Sequence, residues 1–295
     1  MTYRLKRSDK STEAALRRIA IEEIDAALTE LDDPGIELHE KVHGLRKRAK
    51  KLRGLIRLVR PAFPAYAREN GAIRDAARRL SGLRDREGMV ETFDKLAAGG
   101  RLSGFEPVRA HLVATRDRAA AKAHVEEDLA AFRLDMLALR ERARSWALYG
   151  DGFRPMRRGL QRTFDRARKG RAAAAEAPEV AVIHDWRKRV KYHWYHTRLL
   201  RPIERAPLGR RAKKVAELSE LLGDHHDLAV LDTHLAATPD LPGGTETRDA
   251  LRARIAARQA DLADAAQTLG ARLFASPAKD LGRSWKRWWK SWHRD

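Results

Sequence analysis

The sequence predicts an all-α protein made of two similar halves, each with the size and short loops of a four-helix bundle, and three observations carry that reading. Alanine, leucine, arginine and glutamate dominate, β-branched residues are sparse, and apolar residues return at three- and four-residue spacing without strand-like alternation. The segment Lys41 to Pro61, KVHGLRKRAKKLRGLIRLVRP, is written again at Val182 to Pro202, VIHDWRKRVKYHWYHTRLLRP, without a gap at an offset of 141 residues. Gly150-Asp151-Gly152 is the best break in the chain and falls between the two copies.

In chain order, a first helix is expected from about Ser11 to Leu31, with Leu16, Ile19, Ile24, Leu28 and Leu31 inward and Asp33-Pro34-Gly35 as its stop. The first repeat copy is the second helix and ends at Pro61. A third runs from about Pro64 to Leu96 through Ile73, Leu80 and Leu83, with Gly82 and Gly88 as possible breaks and Gly99-Gly100 beyond it. The fourth, from about Gly104 to Leu148, is long. A very basic fifth helix, Arg154 to about Lys169, is expected to end in the low-complexity run Arg171 to Pro178. The second repeat copy follows, then a helix from about Gly209 to Leu235, a loop containing Pro239, Pro242, Gly243 and Gly244, and a last long helix from about Glu246 to Phe274.

The repeated segments hold the chemistry. On a helical wheel Val42, Leu45, Ala49, Leu52, Ile56 and Val59 form a core seam. Beside it His43, Arg46, Lys47, Lys50, Arg53, Arg57 and Arg60 form an acid-free cationic stripe interrupted only by Gly54. In the second copy Ile183, Trp186, Val190 and Leu200 take the seam, and His184, Arg187, Lys188, Lys191, Arg198 and Arg201 take the stripe, with Trp194 in the place of Arg53. A solvated helix face ordinarily mixes signs. Here pairs such as Arg46/Lys50 and Arg53/Arg57 repel, each by roughly 0.2–0.5 kcal/mol. Two stripes in register that cost stability when empty point to a polyanion that neutralises them.

Composition agrees. Lys+Arg 61 against Asp+Glu 41 give a net charge of +20 at pH 7, which calls for an acidic partner: nucleic acid, an anionic membrane or a polyphosphate. The absence of cysteine excludes disulfides, thiolate nucleophiles and cysteine zinc sites. The amino terminus lacks the apolar region of a signal peptide and no window reaches 18 apolar residues, so a soluble, cytoplasmic protein without a transmembrane segment is expected.

Catalytic constellations are weak. No GxSxG, P-loop or GxGxxG motif is present, and no catalytic residue, cofactor or metal is expected. Leu80-Ser81-Gly82-Leu83-Arg84-Asp85 is echoed by Leu222-Gly223-Asp224-His225-His226-Asp227 at an offset of 142, which sets Arg84 and Asp85 against His226 and Asp227 as supporting residues beside the stripes. His184-Asp185 and His226-Asp227 have the form of HD metal ligands, but the repeat puts Gly44 at the place of Asp185 and Arg84 at that of His226, and arginine has no lone pair for a metal. His193 falls on the seam and reads as a core histidine. Near the end of the chain, Trp285, Trp288, Trp289 and Trp292 share one helical face, which either docks on the bundle or anchors the chain to a membrane or partner.

The VH-x-L-R-x-R-x-K-K-L-R motif from Val42 to Arg53, its echo from Ile183 to Tyr192, and the downstream LxxLRD and LGDHHDL segments resemble the CHAD (conserved histidine α-helical domain) family over roughly residues 8–275. The resemblance implies two four-helix bundles about a pseudo-twofold axis, residues 8–149 and 150–275, with 276–295 as a Trp-rich basic tail. It implies a basic central cavity that binds inorganic polyphosphate, and frequent association with polyphosphate granules and their proteins. The family's histidine and basic positions fall on His43, Arg46, Lys50, Arg53 and Arg57, and on His184, Arg187, Lys188, Lys191 and Arg198; Trp194 departs from the pattern. Relatives that carry a triphosphate-tunnel domain have an ExExK motif, and Glu37-Leu38-His39-Glu40-Lys41 has neither its spacing nor its place, so a stand-alone member without triphosphatase activity is expected. The alternatives are a nucleic-acid-binding helical protein and, less well supported, a metal-dependent phosphohydrolase.

Overall fold

The chain is helical as its composition predicts, in a computed structural model that describes residues 3–98, 104–121, 124–238 and 241–294, with the side chains of 81–87 and 119–121 outside the description. Among the described residues there are eleven α-helices and no strand: α1 (Thr12–Asp32), α2 (Leu38–Leu58), α3 (Tyr66–Arg79), α4 (Ser81–Ala98), α5 (Glu106–Ala121), α6 (Val125–Arg144), α7 (Arg154–Glu176), α8 (Val180–Leu200), α9 (Arg205–Ala236), α10 (Gly244–Leu273) and α11 (Ala278–Trp292).

Local chemistry sets the ends. Ser11 caps α1, its hydroxyl accepting from the Ala14 N–H at 3.0 Å, and the Asp33 side chain accepts from the Gly35 N–H to turn the chain after it. The two repeat copies end alike. Each is a helix of 21 residues that passes into a short 3-10 turn, Arg60–Ala62 and Arg201–Ile203, with its proline inside the turn, where the missing N–H costs least.

In the first half α1 packs on α2 and α6, and α3 completes the set by touching both α2 and α6; in the second, α7, α8, α9 and α10 make the corresponding ring of neighbours. The expected seams are the core: Leu16, Ile19, Ile24, Val42, Leu45, Leu52, Ile56, Trp186 and Val190 are all buried. α4, which also touches α2 and α3, covers part of α9 and carries α5 on it, closing a separate apolar cluster that contains Phe93, Val108, Leu231 and Leu251.

Two expectations change. The third predicted helix is divided at Leu80, just before the suspected Gly82, and the long fourth is two helices, α5 and α6, so the first half has six helices where four were expected. The alanine run after Arg171 does not break α7. It extends the helix to Glu176, because alanine has the highest helix propensity of any residue. The tail forms α11 and docks on α7 with Trp285 buried and Trp288, Trp289 and Trp292 packed against the main core. No helix among the described residues is long and apolar enough to cross a membrane. Gly99, Gly100 and Pro239 lie outside the described residues.

Candidate functional site

The two striped helices touch. A methyl group on Gly54 would lie 3.0 Å from Tyr195 Cβ, so α2 and α8 cross closely at this pair, and this explains the single glycine that interrupts the stripe. The buried imidazole of His196, its pKa lowered to about 3 by burial, is neutral and donates from Nε2 to the Gly54 carbonyl at 3.0 Å. On one side of the crossing the Arg57 guanidinium lies 4.1 Å from the Tyr192 ring centre. The amino-terminal arms of both helices lead away from this point with His43 and His184 near their ends, each about 16 Å along the axis at 1.5 Å per residue. The stripes are thus two arms joined at a crossing.

On α2 the charges sort by partner. Arg48 and Lys51, on the α1 side, are tied to carboxylates: Arg48 Nε donates to Glu30 at 2.6 Å and Lys51 Nζ to the fully buried Glu23 at 3.0 Å. The stripe turns the other way. Arg46 Nη1 donates to the Ala77 carbonyl at the end of α3 at 3.0 Å, and Arg53 and Arg57 share the Asn70 side-chain oxygen at 3.2 and 3.4 Å. Arg60 lies 4.7 Å over the Tyr66 ring. Lys47, Arg53, Arg57 and Arg60 have no acid within ion-pair reach among the described residues, and His43, Lys47 and Lys50 are exposed.

On α8, Lys191 and Arg198 flank Trp194 at 4.4 and 4.7 Å from its indole, so where the first stripe sets Arg53 between two cations the second sets a ring that attracts both. Burial, Arg187 and, from the other arm, Lys47 hold the Lys191 ammonium below its usual pKa; the charges of the two arms reach one another. Lys188 departs from the expected acid-free pattern, since Asp185 on its own helix holds it at 3.1 Å together with Arg189. Glu30 fills the corresponding space on α2, against Gly44, and serves Arg48 from α1. Arg201 stands past the arm, in the turn beside Gly209 of α9.

His226 is brought to His184 as the echo suggested, Nδ1 to Nδ1 at 3.1 Å. One ring must donate and the other accept, so the pair holds at most one proton between these two atoms. Burial, then Arg187 and His184, lower His226 to about pKa 4, and burial followed by Lys188 and Arg187 lowers His184. Asp227 follows on α9, partly buried. The side chains of Arg84 and Asp85 lie outside those described. Among the described residues no group of three or more histidine or carboxylate side chains is placed to hold a metal. His193 is core, fully buried, and accepts from Arg211 Nε at 3.1 Å, though its Nδ1 finds no partner among the described residues.

Compared with known proteins, residues 18–236 match the model of the CHAD domain. The chain belongs to the CHAD family. The crystal structure of the CHAD domain from the plant Ricinus communis has the same fold, with a TM-score of 0.64 and 20% identity over 92% of this chain and 94% of that one. No curated protein matches the sequence.

Other residues beside the candidate site were not singled out from the sequence. At the crossing, Arg57, Arg60, Arg189 and Tyr192 line a crevice whose other wall is Arg162, Thr163 and Arg166 of α7. Gly159 allows this wall, because any Cβ there would collide with the Leu58 carbonyl at the end of α2. The signal was available in the regular arginine spacing of α7, but that helix lies outside the repeated motif.

Proposed function

We propose that this CHAD protein binds inorganic polyphosphate without catalysing a reaction, as a sensor of the polymer or as an adaptor to polyphosphate granules and their proteins. The observation that carries the reading is the crossing at Gly54 and Tyr195, which joins two cationic arms into one run of about 33 Å along the helix axes. Charges one helical turn apart suit a linear polymer with a charge on every unit. The aromatic rings beside the arms argue for an unadorned polyanion over nucleic acid. Tyr66, Tyr192 and Trp194 are already covered by Arg60, Arg57, Lys191 and Arg198, whereas a single-strand binder offers open rings for bases to stack on. Against phosphohydrolase chemistry, Asp185 is engaged by Lys188 and Arg189.

Competition for a labelled polyphosphate probe tests the reading. Unlabelled long-chain polyphosphate displaces it at far lower phosphate concentration than single-stranded RNA or duplex DNA does. Equal or better displacement by RNA would favour the nucleic-acid reading, and release of orthophosphate in the presence of Mg²⁺, Mn²⁺ or Zn²⁺ would favour the enzyme.

A further inference from the structure

We propose that α7 carries a third cationic stripe, Arg154, Arg158, Arg162 and Arg166, which extends the polyanion path from the α2–α8 crossing to a groove beneath the carboxy-terminal helix α11. The proposal rests on the polyphosphate reading above and adds a direction in which a long chain leaves the crossing.

The four arginines recur at every fourth residue, so they form one row of the helix surface, about 18 Å long, that rotates by 40° at each step. The rotation connects two places. At one end Arg162 and Arg166 enter the crevice at the crossing beside Arg57 and Arg189. Burial and then the charges of Arg189, Arg162 and Arg57 hold the Arg166 guanidinium below its usual pKa, with Asp185, the partner of Arg189, offsetting them only in part. At the other end Arg154 and Arg158 line a groove of about 650 Å³ with Lys286, Lys290 and the ring of Trp289 from α11.

Neighbouring cations show that the stripe is not simply a solvated face. Arg168 and Lys169 are held by Asp165, and Arg283 by Asp280, at 3.2 Å or less. Arg154, Arg158, Arg162, Arg166, Lys286 and Lys290 have no acid within ion-pair reach among the described residues, and Asp151 is the one acid lining the groove. The occupant is a linear polyanion rather than a nucleotide, because Trp289 already packs against His293 at 4.0 Å and Phe153 at 5.9 Å between ring centres.

The test uses the full chain and two double variants on exposed side chains outside the crevice at the crossing, Arg154→Gln with Arg158→Gln, and Lys286→Gln with Lys290→Gln. Each is titrated with long-chain polyphosphate and with tripolyphosphate, after helix content and melting temperature confirm folding. Both variants should bind the long chain about tenfold more weakly and lower its log-log salt slope by about 1–2, at roughly 0.7–0.9 per lost phosphate contact by analogy with nucleic acids. Tripolyphosphate affinity should not change. Unchanged long-chain affinity and slope in both variants would overturn the extension, as would an equal loss for tripolyphosphate, which would place these side chains at the crossing itself. A larger loss for single-stranded RNA than for polyphosphate would overturn the occupant. Wild-type protein that binds no polyphosphate would overturn the underlying reading along with this one.

Discussion

Gly54 and Tyr195 meet where α2 crosses α8, so closely that a methyl group on the first would stand 3.0 Å from Cβ of the second. The contact joins the two copies of the repeat. It places Arg57 of the first stripe on Tyr192 of the second copy and turns two separate cationic helices into one candidate surface.

The packing of α7 over the end of α2 depends in the same way on Gly159, whose Cβ would strike the Leu58 carbonyl, a backbone atom that cannot rotate away. Gly159→Ala should destabilise by about 1–3 kcal/mol despite alanine's better helix propensity. Gly71→Ala, in α3 with nothing within 4 Å of the new methyl group, should stabilise by about 0.5–1 kcal/mol. Chemical denaturation of both proteins checks the pair of signs, and a neutral Gly159→Ala would mean that α7 and α2 are farther apart in solution.

Much of this was legible in the sequence, for identifiable reasons. The seam from Val42 to Val59 and its echo are periodic enough to determine helix, face and burial together, and Gly54 stood out as the one gap in a charged row. The assignment of Arg48 to Glu30 was not readable, because the carboxylate comes from a different helix, whereas Arg189 and Asp185 stand at the i,i+4 spacing of one helix. The division of the third helix falls beside the suspected Gly82, whereas that of the fourth was not readable, since α5 and α6 both keep helical periodicity while they change the neighbours they pack on. The arginine row of α7 was visible as composition, but only the crossing shows where it leads.

The histidines predict acid sensitivity. Burial lowers His184, His193, His196, His225 and His226, the last to about 4, against the usual 6.5. Below pH 6.5 the unfolded chain takes up protons that folded His226 refuses until about pH 4, so stability is complete above pH 6.5 and declines as pH falls through that window. Melting temperatures at stepped pH should show this fall, and His226→Gln should reduce it. An identical fall in the variant would show that His226 keeps its ordinary pKa in the folded protein.

Trp285, 2% exposed and 6.2 Å from the His193 ring, should make α11 part of the cooperative fold. Trp285→Ala should cost about 3–5 kcal/mol through the cavity it leaves. A loss below about 1 kcal/mol on denaturation would mean that α11 does not stay docked in solution.

If the stripes repel when empty, their ligand should stabilise the fold. Polyphosphate at a hundred times its Kd should add about 2.7 kcal/mol, a rise in melting temperature of roughly 5–10 °C, and orthophosphate at equal total phosphate much less. Lys47→Gln with Lys191→Gln removes one charge from each arm, so the empty protein should melt no lower and the ligand-induced rise should shrink. A lower melting point with an undiminished rise would make these lysines structural.

The most direct measurement of the central claim is the affinity for long-chain polyphosphate at stepped salt concentrations, in wild-type protein and in Arg57→Gln with Lys191→Gln. Joined arms that neutralise several phosphates release the condensed counterions, so log affinity should fall linearly with log salt by several ion equivalents, and the variant should give a line shallower by about 1–2. A flat response, or the same slope in both proteins, would contradict binding at the α2–α8 crossing.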